Sequence, residues 1–252
     1  MKRRIACKLA YDGTAFSGYQ VQPGKRTVQG EIEQALRSLH KGGEVRIHAS
    51  GRTDAGAHAN GQVFHFDSPL TIPEPQWTKA LNACLPDDLF ICAAKQVEQD
   101  FHSRFSATKK EYRYRILLSK GADVFRRNFS WHVPYPLNIN AMEGAAATLL
   151  GTYDFSSFCA ANSSVDNKIR TLYQLKLETV GDELVFTLVG SGFLYNMVRI
   201  MVGTLVEIGA GKLEPEKMEG IREAKQREQA GKTAPAHGLY LWSVDYDRPL
   251  FE

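Results

Sequence analysis

The sequence has few of the features that mark membrane, secreted or metal-binding proteins. No apolar run reaches the about 20 residues needed to cross a bilayer. The basic start of the chain does not continue into the apolar core of a signal peptide, because Lys8 and Asp12 interrupt it. Only four cysteines occur, at positions 7, 84, 92 and 159, and none forms a Cys-x-x-Cys pair. These absences argue against a disulfide framework or a structural zinc site, and they predict a cytoplasmic protein with four small, buried cysteines.

The chain also lacks a strong excess of charge, since 31 basic and 28 acidic residues give a net charge of +3. The basic residues are nevertheless grouped. One group precedes the first acidic residue, and the other surrounds Glu111; their members are Lys2, Arg3, Arg4 and Lys8, and Arg104, Lys109, Lys110, Arg113 and Arg115. Such groups are typical of a phosphate-binding surface, and the alternative is a solvated basic edge. We predict that Lys109 and Lys110 contact nucleic acid.

Hydrophobic patterning in residues 1–107 predicts a strand, a helix, two strands, a helix and a strand. Apolar residues alternate around Ile5–Leu9, Val45–Ala49, 62–67 and 89–97, which predicts half-buried strands. Thr27 is placed to cap a helix, and Pro73 precedes a second helix through Trp77. This order describes a ferredoxin-like or RNA-recognition-like unit with an antiparallel sheet.

Residues 108–252 show a similar mixture of strands and helices. Strands are predicted around 112–118, 172–180, 184–189 and 239–245, and helices around 142–149 and 197–208. A charged surface helix is predicted over 214–229. We therefore predict an α+β protein of two halves, with a boundary near residues 105–110.

The stretch Gly51-Arg52-Thr53-Asp54-Ala55-Gly56 follows the second predicted strand as a glycine-rich loop. An aspartate between small residues after a strand often forms only an Asx-turn. It is also the setting in which a carboxylate can be presented to a substrate.

This stretch, continued by Ala57-His58-Ala59, resembles the signature of the tRNA pseudouridine synthase A family, which usually has Val at the position of Ala57. The resemblance runs along the whole chain in ordered blocks. Those blocks are Tyr11-Asp12-Gly13 with Phe16, Gly18 and Gln20; Phe101–Ala107; Tyr112-Arg113-Tyr114; Gly151 with Asp154, Phe155 and Phe158; Asn196–Arg199 with Val202-Gly203; and Ala234–Ala236 with Gly238-Leu239.

The resemblance implies a pseudouridine synthase fold, in which two ferredoxin-like or RRM-like halves form a mainly antiparallel sheet with flanking helices. It implies a homodimer that isomerises uridine to pseudouridine at positions 38 to 40 in the anticodon stem-loop of tRNA, without metal or cofactor. It implies that Asp54 is the catalytic carboxylate, that Arg199 pairs with it, and that Tyr112 stacks on the flipped base and assists proton transfer. Arg52 then contacts the RNA, and Leu239 is an apolar wall of the pocket.

Three alternatives remain open from the residues alone. A non-catalytic RNA-recognition module would carry exposed aromatic residues in a Lys/Arg-Gly-Phe-like strand motif, and none is visible. A hydrolase of glycosidic bonds would use two carboxylates, and only Asp54 stands in a recognisable site. Finally, His48, His58 and His65 near Asp54 suggest a metal site, but their spacing fits no helical ligand pair, and a structural role is the favoured interpretation.

Overall fold

The computed structural model describes residues 2–163 and 165–251. The chain divides into two compact units. One unit contains the described residues up to Thr108 together with those from Tyr240 onward, and the other is Lys109–Leu239. The elements in chain order are β1 (Arg3–Tyr11), α1 (Val28–Leu39), β2 (His48–Ala49), β3 (His58–Ser68), α2 (Glu74–Asn82), β4 (Leu89–Val97), β5 (Ala107–Leu117), β6 (Trp131–His132), α3 (Ile139–Ala147), β7 (Gly151–Asp154), β8 (Ile169–Val180), β9 (Glu183–Gly190), α4 (Met197–Gly209), α5 (Lys217–Ala224) and β10 (Leu239–Tyr246).

The sheet of the first unit has the order β4-β1-β3-β10, with the short β2 added to β3. The pairs β4–β1, β1–β3 and β2–β3 are antiparallel, whereas β10 runs parallel to β3. Ile5, Cys7 and Leu9 of β1 are fully buried, as their alternation predicts, and they join Phe64 and Phe66 of β3 in the core. The antiparallel pairing of β1 with β3 fixes the register of the strand that leads out of the Asp54 loop.

Helices α1 and α2 follow the predicted pattern. The Thr27 side chain accepts a hydrogen bond from the Gly30 amide and caps α1. Pro73 is the N-cap residue of α2, where its fixed φ suits the start of a helix. Trp77 and Leu81 of α2 are completely buried, and burial of each such side chain contributes about 1.5–3 kcal/mol.

The second unit has a sheet of order β5-β9-β8-β7, antiparallel throughout, and β6 lies parallel to β5. Tyr114 of β5 is opposite Phe186 of β9, and both side chains are fully buried. Helix α4 is apolar on nearly every face, and eleven of its thirteen residues are buried. An all-round apolar helix has to lie inside its unit. The predicted α+β class with a mainly antiparallel sheet is confirmed.

Several sequence-based predictions differ from the structure. The predicted helix over 214–229 is limited to α5, because Lys225 adopts a left-handed conformation with φ of 54° and ends it. The predicted strand from Val45 begins only at His48. All four cysteines are free thiols, but Cys84 and Cys92 are exposed, so their predicted burial is wrong. The residues from Tyr240 onward, which we assigned to a second domain over 108–252, belong to the first unit, because β10 pairs with β3.

Candidate active site

Asp54 lies on a tight turn between β2 and β3. The carbonyl oxygen of Asp54 accepts a hydrogen bond of 3.1 Å from the Ala57 amide, which closes the turn. Gly56 has a left-handed φ of 79°, a conformation that side-chain-bearing residues rarely adopt. The turn leaves Asp54 half-buried and Arg52 exposed. The carboxylate therefore sits at the surface on a backbone of fixed shape, as a group that meets a substrate should.

The loop after β1 holds this turn from the other side. The Tyr19 amide donates to the Thr53 carbonyl at 3.1 Å, and the Gly56 amide donates to the Phe16 carbonyl at 3.3 Å. The two backbones approach so closely at Gly13 that a Cβ there would lie 1.9 Å from the Ala57 carbonyl oxygen. Gly13 is thus needed for this close contact with the Asp54 turn.

A buried polar group under the turn was not predicted from the sequence. Tyr11 Oη lies 2.7 Å from Thr53 Oγ1, and both residues are buried. Burial raises the pKa of Tyr11 well above its usual range; hydrogen bonds with Thr53 and Gln62 oppose this, and the charge of Asp54 adds to it. The phenol is thus hydrogen-bonded to the residue that precedes Asp54 in the turn.

Gln62 continues this group along β3. Its side-chain carbonyl accepts a hydrogen bond of 2.6 Å from Ser50 Oγ, and its amide donates to the Gly51 carbonyl at 2.8 Å. Ser50 and Gln62 are fully buried. The start of the Asp54 stretch is therefore fastened by Gln62, whose position in a strand gives no sign of this role.

His58 fixes the exit of the turn. Its Nδ1 accepts a hydrogen bond of 3.0 Å from the Gly13 amide and lies 3.2 Å from an Asp12 carboxylate oxygen. Its ring stacks on Tyr240 of β10, with the ring centroids 4.7 Å apart. These contacts give His58 a structural function. Within the described residues, no group of three or more His, Cys, Asp or Glu is placed to hold a metal ion.

Tyr112 and Arg199 belong to the second unit. Tyr112 of β5 is 7% exposed and meets Phe193 edge-to-face, with ring centroids 5.0 Å apart. Arg199 is half-buried in the first turn of α4, where Nε donates to the Ala234 carbonyl at 2.7 Å and Nη1 donates to Asn196 Oδ1 at 2.9 Å. These two bonds orient the guanidinium. Asp54 belongs to the first unit. The pairing of Asp54 with Arg199 stays a prediction.

The remaining predicted site residues differ in exposure. Leu239 is buried at the start of β10, which suits an apolar wall. Lys109 is exposed on β5, with Nζ 5.4 Å from the centroid of the Tyr173 ring, whereas Lys110 is half-buried opposite Gly190. Lys109 is thus the more accessible of the two predicted RNA contacts. The described part of the chain contains no helix long and apolar enough to cross a membrane.

A known protein family matches most of the chain. The family described as tRNA pseudouridine synthase matches residues 6–106 and 145–247. The chain belongs to this family. Its members isomerise uridine to pseudouridine in tRNA, and family membership makes the chain an isomerase rather than a non-catalytic RNA-binding module.

Curated relatives resemble the chain over nearly its whole length. The tRNA pseudouridine synthase A of Anoxybacillus flavithermus is 57% identical over 97% of this chain and 99% of its own length. Those of Geobacillus kaustophilus and Halalkalibacterium halodurans are 56% and 58% identical, over 98% and 94% of this chain and 96% and 90% of their own lengths. A chain in the crystal structure of a Cbf5-Nop10-Gar1 complex is similar over 80% of this chain and 54% of its own, at 11% identity and a TM-score of 0.35.

Proposed function

We propose that the chain converts uridine to pseudouridine at positions 38 to 40 in the anticodon stem-loop of tRNA, with Asp54 as the catalytic carboxylate. The observation that carries the proposal is the Asp54 turn itself. Its backbone is hydrogen-bonded to the loop after β1 and, at the Gly51 carbonyl, to the Gln62 side chain, and its Thr53 side chain is hydrogen-bonded to Tyr11. A loop held this firmly presents a carboxylate with little freedom, which is what a reaction at a single ribose carbon requires.

The reaction breaks the bond between N1 of uracil and C1′ of the ribose. The base rotates while it stays bound, and C5 then forms the bond to C1′. N1 gains a proton and C5 loses one, so the change is an isomerisation that consumes no other reactant. The Asp54 carboxylate attacks C1′, adds to the ring or removes a proton from the sugar, and all three routes need it ionised. A uridine in a stem has to leave the base stack before any of them can begin.

Tyr112 and Arg199 take the two supporting roles in this proposal. Tyr112 presents a ring that is already fixed by Phe193, and we assign it to stacking on the flipped base and to proton transfer at C5. Arg199 has a guanidinium oriented by Ala234 and Asn196, and we assign it to pairing with Asp54. An opposite charge at short range keeps a half-buried carboxylate ionised and directs its oxygens.

The RNA-binding part of the proposal rests on three cations, of which Arg52 and Lys109 are exposed and Lys110 is half-buried. Arg52 is exposed two residues before Asp54, and Lys109 and Lys110 lie next to one another on β5. Phosphate contacts of this kind release counterions and make the affinity fall as salt rises. Leu239 forms an apolar wall beside the base. We further propose that the protein acts in the cytoplasm as a homodimer, with no metal and no cofactor.

The test is isomerisation of a tRNA transcript by wild-type protein and by Asp54→Asn, with carbodiimide mapping of pseudouridine. Asn keeps the shape of the side chain and removes its charge, so we expect no product while tRNA binding persists. Asp87→Asn changes an exposed carboxylate outside the turn and serves as the matched control. Turnover by Asp54→Asn within tenfold of wild type would remove Asp54 from the mechanism. Release of free uracil would instead indicate a hydrolase.

A further inference from the structure

Four aromatic rings meet at one edge of the first unit, outside the Asp54 turn. They come from His48 of β2, His65 of β3, and His102 and Phe105 of the loop between β4 and β5. Ring centroids are 5.1 Å apart for His48–His65, 4.7 Å for His65–His102 and 4.4 Å for His102–Phe105. His65 is 2% exposed and forms the floor of this ring cluster, whereas Phe105 is 77% exposed and forms its outer end.

The loop that carries Phe105 is held in a fixed shape. The His102 amide donates to Ser106 Oγ at 3.0 Å, and the Ser106 amide donates back to the His102 carbonyl at 2.9 Å. The Arg104 amide donates to His102 Nδ1 at 3.1 Å, and the Ser103 amide donates to His65 Nδ1 at 3.2 Å. Phe105 is therefore held out into solvent by its own loop, although an apolar ring of this size gains free energy from burial.

The charge beside the ring cluster is positive. The Arg104 guanidinium lies 5.8 Å from the centroid of the Phe105 ring, and the Arg104 residue is exposed. Burial and neighbouring cationic groups lower the pKa of His65 to about 4 and also lower the pKa of His102. The two rings are thus uncharged at neutral pH and pack as flat, neutral surfaces next to a permanent cation.

We propose that Phe105, supported by His102 and flanked by Arg104, is a stacking platform for an unpaired nucleobase of the bound tRNA. Nucleobases stack on aromatic side chains regardless of sequence, and a neighbouring guanidinium can pair with a phosphate of the same strand. This platform is a contact additional to the residues assigned to catalysis, and it rests on the proposed tRNA substrate. It binds substrate without taking part in the isomerisation.

An RNA strand fits this site better than a second protein surface. Among the described residues of this unit, the other large exposed apolar side chains are Val21 on the loop after β1 and Phe90 on β4. Phe105 therefore has histidine and arginine around it rather than a continuous apolar patch, which a protein interface would need at its centre. Proteins that bind single-stranded nucleic acid use isolated aromatic faces next to cationic side chains.

The platform is tested by tRNA affinity in an Asp54→Asn background, where no turnover occurs. Phe105→Ala should lower the affinity about 10- to 100-fold, the loss expected for one stacked base. Phe105→Trp should retain the affinity and show quenching of the added indole fluorescence when tRNA binds. Phe90→Ala, which removes an exposed ring from β4 of the same unit, is the matched control and should bind as the parent does.

With Asp54 restored, Phe105→Ala should raise KM for tRNA and leave kcat unchanged at saturating tRNA. The proposal is overturned if Phe105→Ala binds as tightly as Phe90→Ala, or if the indole of Phe105→Trp does not respond to tRNA. It is also overturned if Phe105→Ala changes the oligomeric mass instead of the affinity, because the ring would then contact a second copy. Failure of isomerisation by the wild-type protein would contradict the proposed function separately, since the affinity comparison needs no turnover.

Discussion

Tyr11→Phe removes one hydroxyl group beneath the Asp54 turn and leaves the ring in place. The hydroxyl lies 2.7 Å from Thr53 Oγ1, one residue before Asp54, and both side chains are buried. The variant leaves Thr53 Oγ1 without that partner in a space from which water is excluded. We therefore expect an effect on stability and a separate effect on the position of the turn.

The size of the stability effect follows from the burial of the pair. A buried polar group that loses its partner costs about 1–3 kcal/mol, whereas removal of both partners by groups of the same shape costs less. Thr53→Val replaces the second hydroxyl with a methyl group. Tyr11→Phe should lower the free energy of unfolding by about 1–3 kcal/mol, and the double variant should lose less than the sum of the two single variants.

The assay combines urea unfolding with single-turnover isomerisation at saturating tRNA. Ser68→Ala is the control, since Ser68 is fully buried at the opposite end of β3 and lies 2.7 Å from His40 Nε2. Both variants should lose stability, but only Tyr11→Phe should slow the chemical step, by about tenfold or more, because small shifts of a reacting group have large effects. The affinity for tRNA should stay near the wild-type value in both.

Two results would refute this reasoning. Additive unfolding free energies for Tyr11→Phe and Thr53→Val, within about 0.3 kcal/mol, would mean that the two hydroxyl groups do not interact. Equal single-turnover rates in Tyr11→Phe and Ser68→Ala would mean that the hydroxyl stabilises the unit without positioning Asp54.

Substitutions at three further positions test other parts of the structure. Arg199→Ala should slow single turnover at least 100-fold and largely keep the affinity for tRNA. The single-turnover rate of Arg199→Lys should lie between those of Arg199→Ala and wild type, because lysine lacks the planar guanidinium. Equal rates for Arg199→Ala and wild type would exclude the ion pair. Gly13→Ala should abolish most activity and lower the free energy of unfolding by several kcal/mol, because the added Cβ would overlap the Ala57 carbonyl. An unchanged midpoint of urea unfolding would show that this close contact is absent. Burial and charged neighbours lower the pKa of His65 to about 4 in the folded chain. Below about pH 6.5 the His65 side chain therefore binds a proton in the unfolded chain but not in the folded chain. The free energy of unfolding should therefore fall from about pH 6.5 towards pH 4, by at most about 3 kcal/mol and by less where solvent screens the charge. In urea unfolding, His65→Asn should make this pH dependence weaker. An equal pH dependence in His65→Asn and wild type would contradict the prediction. The groups facing His65 are His102, Arg4, His48 and Asp67.

The sequence predicted the strands and helices whose pattern is local. The alternation in β1 and the cap at Thr27 are properties of neighbouring residues, and the structure contains both. The charged segment over 214–229 was predicted as one helix because its composition favours helix throughout. The left-handed conformation of Lys225, a residue with no glycine-like signature, interrupts it.

The candidate site was predictable only in part for a related reason. Through its resemblance, the motif around Asp54 predicted the family, which is confirmed, and the catalytic role of Asp54, which stays a prediction. Tyr11 and Thr53 stand in blocks that carry the resemblance and Gln62 does not, but no pattern in the sequence indicated that their side chains hold the turn. Their role depends on pairing between β1 and β3, which brings together residues about 40–50 positions apart in the chain.

The return of the last strand to the first unit determines when the protein can become active during its synthesis. Tyr240 stacks on His58, and β10 pairs with β3 at the end next to the Asp54 turn. On the ribosome, residues up to Thr108 emerge long before this strand. Until β10 is made, the edge of β3 that β10 covers is exposed and can pair with a strand of another nascent chain. The Asp54 turn gains this support only after β10 has been synthesised. A nascent chain shortened before Tyr240 would therefore keep β3 paired with β1 and β2 but leave open the edge that β10 covers.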